Sequence, residues 1–119
     1  MNAPGRILIV DDQRNWREAL TTLLISEGHC VTAVSCTKEA KAEIEQGEYD
    51  VAILDVRLVD DHSFDVQGIE LLRWAKACER EPAVIILTGY RDSIREGVLA
   101  RYGADALILK VPPGSSFDS

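Results

Sequence analysis

The stretch ILIVDD, residues 7–12, decides the fold, because an apolar run is followed at once by two aspartates. A continuous run rich in Ile and Val predicts a strand buried on both faces, which is typical of parallel sheets. Three further runs share this composition: residues 51–54, 84–87 and 106–109. A fifth run, residues 30–34, contains Thr32 and predicts a more polar edge strand.

Helical patterns lie between the predicted strands. Apolar residues recur at helical spacing from Trp16 to Leu24, and Gly28 lies where a C-terminal cap would be. The predicted helices cover residues 16–24, 37–46, 68–75 and 94–102. Strict alternation of strand and helix predicts an α/β fold, a doubly wound five-stranded parallel sheet with helices on both faces. No helical pattern follows the fifth strand, so we expect the last helix to be missing or truncated.

Bulk composition limits the class of protein. The 119 residues suit one domain, and we predict that it spans residues 1–113, with 114–119 as a tail that begins a truncated fifth helix or a linker. The formal net charge of -7 argues against nucleic-acid binding by this domain. The sequence shows no signal peptide or membrane span, and its three cysteines are in no zinc-site pattern, which together predict a cytoplasmic protein without membrane contact.

Polar side chains follow four of the predicted strands at the point where each strand ends. In open parallel sheets, sites form at this carboxyl edge. The residues that would meet there are Asp11, Asp12, Asp55, Thr88, Gly89 and Lys110. Taken singly, each has an ordinary explanation, since Asp often caps a helix, Thr-Gly is a common turn, and a lysine is usually solvated. Their coincidence at one edge favours a functional site.

The chemistry of this set is specific. Three carboxylates repel one another unless a cation joins them, and Mg²⁺ prefers such oxygen ligands. A carboxylate such as Asp55 can also act as a nucleophile toward phosphorus. Lys110 and Mg²⁺ would offset the charge of the phosphoryl group, and Thr88 would donate a hydrogen bond to it. Gly89 would leave room for the phosphate and present its backbone N–H.

The motifs as a set resemble the receiver domain of two-component response regulators. They are Val10-Asp11-Asp12, Leu54-Asp55, Leu87-Thr88-Gly89, and Gly103-Ala104-Asp105 leading to Leu109-Lys110. The resemblance covers residues 6–112 and implies a flavodoxin-like, chemotaxis-receiver type of sheet with strand order 2-1-3-4-5. It also implies a phosphoprotein that works in signal transduction by phosphorelay.

The resemblance further implies roles for single residues. Asp55 matches the phosphoacceptor, and the Mg²⁺ ligands would be Asp11 (directly or through water), Asp12, Asp55 and the backbone carbonyl of Arg57. Thr88 and Lys110 match the phosphate-sensing pair. The donor would be a phosphohistidine on a sensor histidine kinase or a phosphotransfer protein. The domain would catalyse its own phosphorylation and slow dephosphorylation, and would switch a surface that contacts an output domain or a second receiver in a homodimer.

The sequence departs from the family pattern in four places. Leu107 stands where receivers commonly carry a switching aromatic residue, and Tyr102 or Tyr90 would have to take over that role. Val111 separates Lys110 from the proline that usually follows it. The loop after Asp55 is long, with residues 59–65 as the extra stretch, which is a solvated loop, a partner contact or a lid. Arg57 and Tyr90 flank the path of an attacking water in the family, so we expect them to modulate hydrolysis.

Three alternative functions follow from the same residues. A pseudo-receiver would act as a constitutive protein-interaction module, and Leu107 with the long loop leaves this alternative open. A haloacid-dehalogenase-like phosphatase would need an acid two residues after its nucleophile, where this chain has Arg57. A flavodoxin is disfavoured because Asp11 and Asp12 would repel the flavin phosphate.

Overall fold

The computed structural model of the protein describes residues 5–55, 66–88, 97 and 100–110. Within them strands and helices alternate as far as β4, and β5 is the next element whose bounds are described: β1 (Arg6–Val10), α1 (Arg14–Ser26), β2 (Cys30–Val34), α2 (Thr37–Gln46), β3 (Val51–Asp55), α3 (Val66–Ala77), β4 (Ala83–Thr88) and β5 (Ala106–Leu109). Most of the predicted fourth helix and the tail predicted at 114–119 lie outside the described residues. The prediction of a missing last helix lies outside them too.

The five strands form one sheet in the order β2-β1-β3-β4-β5, and every neighbouring pair is parallel. Leu8 of β1 is paired with Thr32 on one side and with Ala52 on the other, so the acidic run that follows β1 begins at an interior strand. The predicted α/β fold and its strand order are confirmed. Because all strands run in one direction, their carboxyl ends meet at a single edge of the sheet.

Alternation along the strands divides the core into two layers. The larger layer lies under α2 and α3 and comprises Leu8, Val10, Val34, Ala40, Ile44, Ala52, Leu54, Leu71, Leu72, Ala75, Val84 and Ile86. The smaller layer lies under α1 and comprises Ile7, Ile9, Ile53 and Leu87, with Leu20 and Leu24 packed against it. Helices therefore cover both faces of the sheet, as the sequence predicted.

The apolar stripe of α1 is only partly used for packing. Leu20 and Leu24 contact the core, whereas Ala19 is exposed and Leu23 is 55% exposed. The helix packs over β1 and β2, so the far side of the stripe lies away from these strands. The predicted helix is therefore present, but Ala19 and Leu23 lie outside its packed side.

Among the residues that the structure describes, two glycines have the left-handed backbone that favours this residue. Gly28, with φ of +94°, follows the last turn of α1 and allows the chain to turn into β2. Gly103 has φ of +105°, and a Cβ there would lie 2.8 Å from Lys76 Cγ. The turn before β5 therefore needs a residue without a side chain. Among the described residues, no helix has the length and apolar composition that a membrane crossing requires.

Candidate functional site

Asp11 is held rigidly where β1 ends. Its backbone N–H donates to the carbonyl of Val34 at 3.2 Å, and its own carbonyl accepts from Arg17 Nη1 at 2.9 Å. Its carboxylate Oδ1 accepts the backbone N–H of Gln13 at 2.9 Å. Only 1% of the residue is exposed. The contacts with β2 and α1 thus fix a buried carboxylate at the edge of the sheet.

Three carboxylates meet at this edge. Asp11, Asp12 and Asp55 each offer one carboxylate oxygen, and these oxygens lie within 4.8 Å of one another. Asp55 is the last residue of β3, and its side chain is only 9% exposed. Asp12 is exposed, but Asp11 and Asp55 are largely shielded from solvent, and negative charges this close repel one another, so the arrangement requires positive charge nearby.

Lys110 supplies positive charge among these carboxylates. Its Nζ lies 2.7 Å from Asp11 Oδ2 and 3.2 Å from Asp55 Oδ1, and its side chain is 8% exposed. The backbone N–H of Lys110 donates to the carbonyl of Thr88 at 2.7 Å, and Thr88 is fully buried at the end of β4. The ends of β4 and β5 therefore fix the base of the lysine side chain.

Burial raises the pKa of Asp55 above its ordinary value, and the neighbouring charge of Asp11 raises that pKa further. The charge and hydrogen bond of Lys110 act in the opposite direction, but they do not cancel the increase. A carboxylate that resists ionisation and lies beside a specific charge partner is typical of a functional site.

One buried oxygen, Asp11 Oδ2, indicates whether these carboxylates suit Mg²⁺. Asp11 Oδ2 accepts no hydrogen bond within the described part of the chain, because Lys110 is near it but is not oriented to donate. Mg²⁺ takes oxygen ligands at about 2.1 Å, which places neighbouring ligands roughly 3 Å and opposite ligands roughly 4 Å apart. Three carboxylate oxygens within 4.8 Å reach this spacing with small side-chain adjustments. The residues present therefore fit the ion.

Two residues of α1 and its approach also contact Lys110, and sequence reasoning missed both. Gln13 Oε1 accepts a hydrogen bond from Lys110 Nζ at 2.7 Å, and the ring centroid of Trp16 lies 5.2 Å from the same atom. Gln13 occupies the N-cap of α1 without capping it through its side chain. A non-capping residue at this position is the one signal in the sequence that could have suggested another use.

Several residues singled out from the sequence are not brought to the site by the described structure. Leu107 is half-buried and packs against the larger core layer. Tyr102 is 40% exposed, and its ring lies 5.8 Å from the guanidinium of Arg73. The remaining positions, which are Arg57, Gly89, Tyr90, Val111 and residues 59–65, lie outside the described residues, so their roles stay predictions.

Comparison with known proteins agrees with this geometry. The family model described as "response regulator receiver domain" matches residues 7–114. The transcriptional regulatory protein GltR of Pseudomonas aeruginosa is 35% identical over 113 residues, which cover 92% of this chain and 45% of GltR. The two-component response regulator PhoP of the same species is 30% identical, over 88% of this chain and 44% of PhoP. The chain thus spans about half the length of these curated relatives.

Solved structures show the same fold. A CheY-like receiver domain protein from Methanospirillum hungatei superposes with a TM-score of 0.76 at 32% identity, over 93% of this chain and 86% of that one. The chemotaxis protein CheY4 of Vibrio cholerae reaches a TM-score of 0.79 at 22% identity, over 95% and 90%, and supports the fold alone. The chain therefore belongs to the response regulator receiver domain family of two-component signal transduction.

Proposed function

We propose that this domain accepts a phosphoryl group on Asp55 from a phosphohistidine, in a reaction that depends on Mg²⁺. The observation that carries the proposal is the acidic cluster at the carboxyl edge, where three carboxylates lie close together, two of them pair with the buried Lys110 ammonium, and Asp11 Oδ2 is left without a hydrogen bond. A merely structural ion pair between Lys110 and one aspartate would not need a second buried carboxylate and a third, exposed one beside it.

The transfer follows from the position of Asp55. One carboxylate oxygen of Asp55 attacks the phosphorus atom, a new P–O bond forms, and the P–N bond to the donor imidazole breaks. The imidazole nitrogen keeps the electron pair of that bond and takes a proton from solvent, so the product is an aspartyl phosphate. The 9% exposure of the Asp55 side chain leaves a narrow approach for the donor.

Asp11, Asp12 and Asp55 would hold Mg²⁺, with the backbone carbonyl of Arg57 as a further ligand. When bound, this ion would offset part of the negative charge that the carboxylates and the phosphoryl oxygens bring together. Lys110 would offset a further part through its ammonium. Thr88, together with the backbone N–H of Gly89, would donate hydrogen bonds to phosphoryl oxygens. Leu107 takes no part in this charge balance, since its side chain packs on the core.

Other proteins would recognise the structural change that follows phosphorylation. When Lys110 turns toward the phosphoryl group, the ends of β4 and β5 respond together because a backbone hydrogen bond joins Lys110 to Thr88. The protein would act in the cytoplasm. Its partners would be a sensor histidine kinase or phosphotransfer protein, and an output domain or a second receiver. In this proposal residues 1–113 form the receiver, and residues 114–119 begin the last helix or a linker.

The test is to incubate the chain with acetyl phosphate and Mg²⁺ and to record its intact mass. We expect the gain of one phosphoryl group, and no gain in Asp55→Asn or in the presence of EDTA. Asp50→Asn is the matched control, because Asp50 Oδ2 accepts the backbone N–H of Arg6 at 2.8 Å beside the opposite end of β3. This variant should be phosphorylated like the wild type.

A pseudo-receiver is the second candidate, and the packing of Leu107 favours it. An aliphatic side chain that packs on the core offers no aromatic rotamer switch at this position. Under this alternative the same incubation would leave the mass of the wild type unchanged while Mg²⁺ still binds. Phosphorylation that persists in Asp55→Asn would contradict both candidates.

A further inference from the structure

We propose that Gln13 and Trp16 form a resting seat for the Lys110 ammonium and so set how readily Lys110 turns to the phosphoryl group. This inference rests on the proposed function and adds two positioning residues to it. Neither residue would touch the phosphoryl group. Both would act through Lys110.

The contacts of Lys110 define the seat. The ammonium donates to the neutral amide oxygen of Gln13 at 2.7 Å, and the face of the Trp16 indole lies 5.2 Å from it. It is not oriented to donate to Asp11 Oδ2, although that oxygen is equally near. Lys110 therefore has two partners on the α1 side, Gln13 and Trp16, besides its ion pairs with Asp11 and Asp55.

The backbone of α1 places both residues on the same side of Lys110. Gln13 and Trp16 are three positions apart, which puts them on one face of the first turn. Helix starts favour Ser, Thr, Asp or Asn, whose side chains accept the free N–H groups of the first turn. The Gln13 side chain makes no such bond and reaches Lys110 instead. The start of α1 thus contacts Lys110 through two side chains, and neither of them caps the helix.

The seat acts on the step in which Lys110 changes partners. Once a divalent cation shares the charge of Asp11 and Asp55, these carboxylates attract the ammonium less strongly. The contacts with Gln13 and Trp16 do not depend on that charge. They are then the contacts that Lys110 gives up when it pairs with a phosphoryl oxygen, so they favour the unphosphorylated state.

The test measures the affinity for beryllofluoride, which mimics the phosphoryl group, in the presence of Mg²⁺ by calorimetry. We expect Trp16→Leu and Gln13→Met each to bind it more tightly than the wild type, and a lost cation–π contact corresponds to about 2- to 30-fold. Trp16→Phe keeps an aromatic face and should lie between the wild type and Trp16→Leu. The matched control is Trp74→Leu, because the Trp74 ring lies 5.3 Å from Lys41 Nζ in a similar contact between α2 and α3. Its affinity should equal that of the wild type.

A second readout follows the indole directly. The chain has two tryptophans, so Trp74→Phe leaves Trp16 as the only one. We expect its emission to change when beryllofluoride and Mg²⁺ are added, and to stay constant when Lys110→Met is combined with Trp74→Phe. Unchanged or weaker affinity in Trp16→Leu and Gln13→Met would overturn the seat. A wild type that does not bind beryllofluoride would instead overturn the proposed function.

Discussion

Two lysines at opposite ends of the sheet form ion pairs with aspartates, and the pairs have opposite character. Lys110 lies at the carboxyl end, 8% exposed, among carboxylates that are themselves buried. Lys76 projects from α3 at the amino end, 19% exposed, with its Nζ 3.0 Å from Asp105 Oδ2 on a side chain that is 50% exposed. The same pair of residue types therefore occupies a buried, crowded site and a half-exposed one.

The two aspartates respond in opposite directions. The backbone N–H of Val84 donates to Asp105 Oδ2 at 2.8 Å, and this bond, together with the one from Lys76, lowers the pKa of Asp105. Burial and Asp11 raise the pKa of Asp55 despite Lys110. The surroundings of Asp105 therefore stabilise its ionised form, and its contacts connect α3 to β4 and β5. The surroundings of Asp55 disfavour its ionised form, which lowers the stability of the folded state. Such a cost is typical of residues that are kept for function.

The largest expected difference between the two lysines is in phosphorylation. Lys110→Met removes a charge that stabilises the developing phosphoryl charge, and we expect a rate constant with acetyl phosphate about 100-fold lower. Lys76→Met, at the far end of the sheet, should leave the rate constant unchanged. Intact-mass time courses measure both, with circular dichroism to establish that each variant is folded. An equal decrease in the rate constant of both variants would mean that Lys110 has no special role in phosphorylation.

Mg²⁺ should stabilise one end of the sheet and not the other. At a concentration about 100-fold above its Kd, we expect the ion to raise the free energy of unfolding by about 2.7 kcal/mol, because it binds the folded cluster. Asp11→Asn removes one of the three carboxylates and should abolish most of this gain, whereas Asp105→Asn should keep it. Urea unfolding with and without Mg²⁺ measures the effect. A gain that survives in Asp11→Asn would place the ion elsewhere.

The sheet could be predicted from the sequence because its signal is local. The apolar runs that begin at Ile7, Val51 and Val84 predict strands with two buried faces, so a parallel sheet between layers of helices follows from the alternation of elements. The edge location of Asp11 and Asp55 follows in turn. The order of the strands came only from the resemblance to the receiver family. The packed side of α1 was harder to predict, because helical spacing alone does not show that Leu23 lies beyond the strands that the helix covers.

The contacts around Lys110 could not be predicted in the same way. Gln13 and Lys110 are 97 positions apart, and their hydrogen bond depends on the rotation of α1 about its axis and on the rotamer of the lysine. Nothing in the local sequence specifies either quantity. Trp16 reads from the sequence as a core residue of α1, and only packing shows its ring beside an ammonium.

At the amino end, Asp105 should matter for stability alone. Asp105→Ala leaves the backbone N–H of Val84, a fully buried residue, without its acceptor, which costs about 1–3 kcal/mol. Asp105→Asn keeps an acceptor oxygen and should lose less. Urea unfolding at neutral pH gives both values, and acetyl phosphate should modify both variants at the wild-type rate. A slower rate in either variant would connect this end of the sheet to the site.

The smallest expected effect is the pH dependence that Asp105 contributes. Its pKa in the folded state is below the ordinary value of 3.8, so the unfolded chain binds a proton at this group more readily than the folded chain does. Its contribution to stability is complete above the ordinary pKa and is lost as pH falls through the folded-state pKa. Because the side chain is half exposed, this contribution is below about 1 kcal/mol and should shrink further in salt.

The measurement is the difference in free energy of unfolding between the wild type and Asp105→Asn, taken from neutral pH down to about pH 3 in EDTA. Chelation removes any metal-dependent change at the other end of the sheet. We expect the wild type to be more stable than Asp105→Asn at neutral pH, and this difference in free energy of unfolding should decrease toward acid. When both proteins also carry Lys76→Met, the difference at neutral pH should be smaller, because Lys76 provides part of the shift in the Asp105 pKa. An advantage that grows toward acid would mean that Asp105, like Asp55, is ionised against its surroundings, and the contrast between the two ends of the sheet would fail.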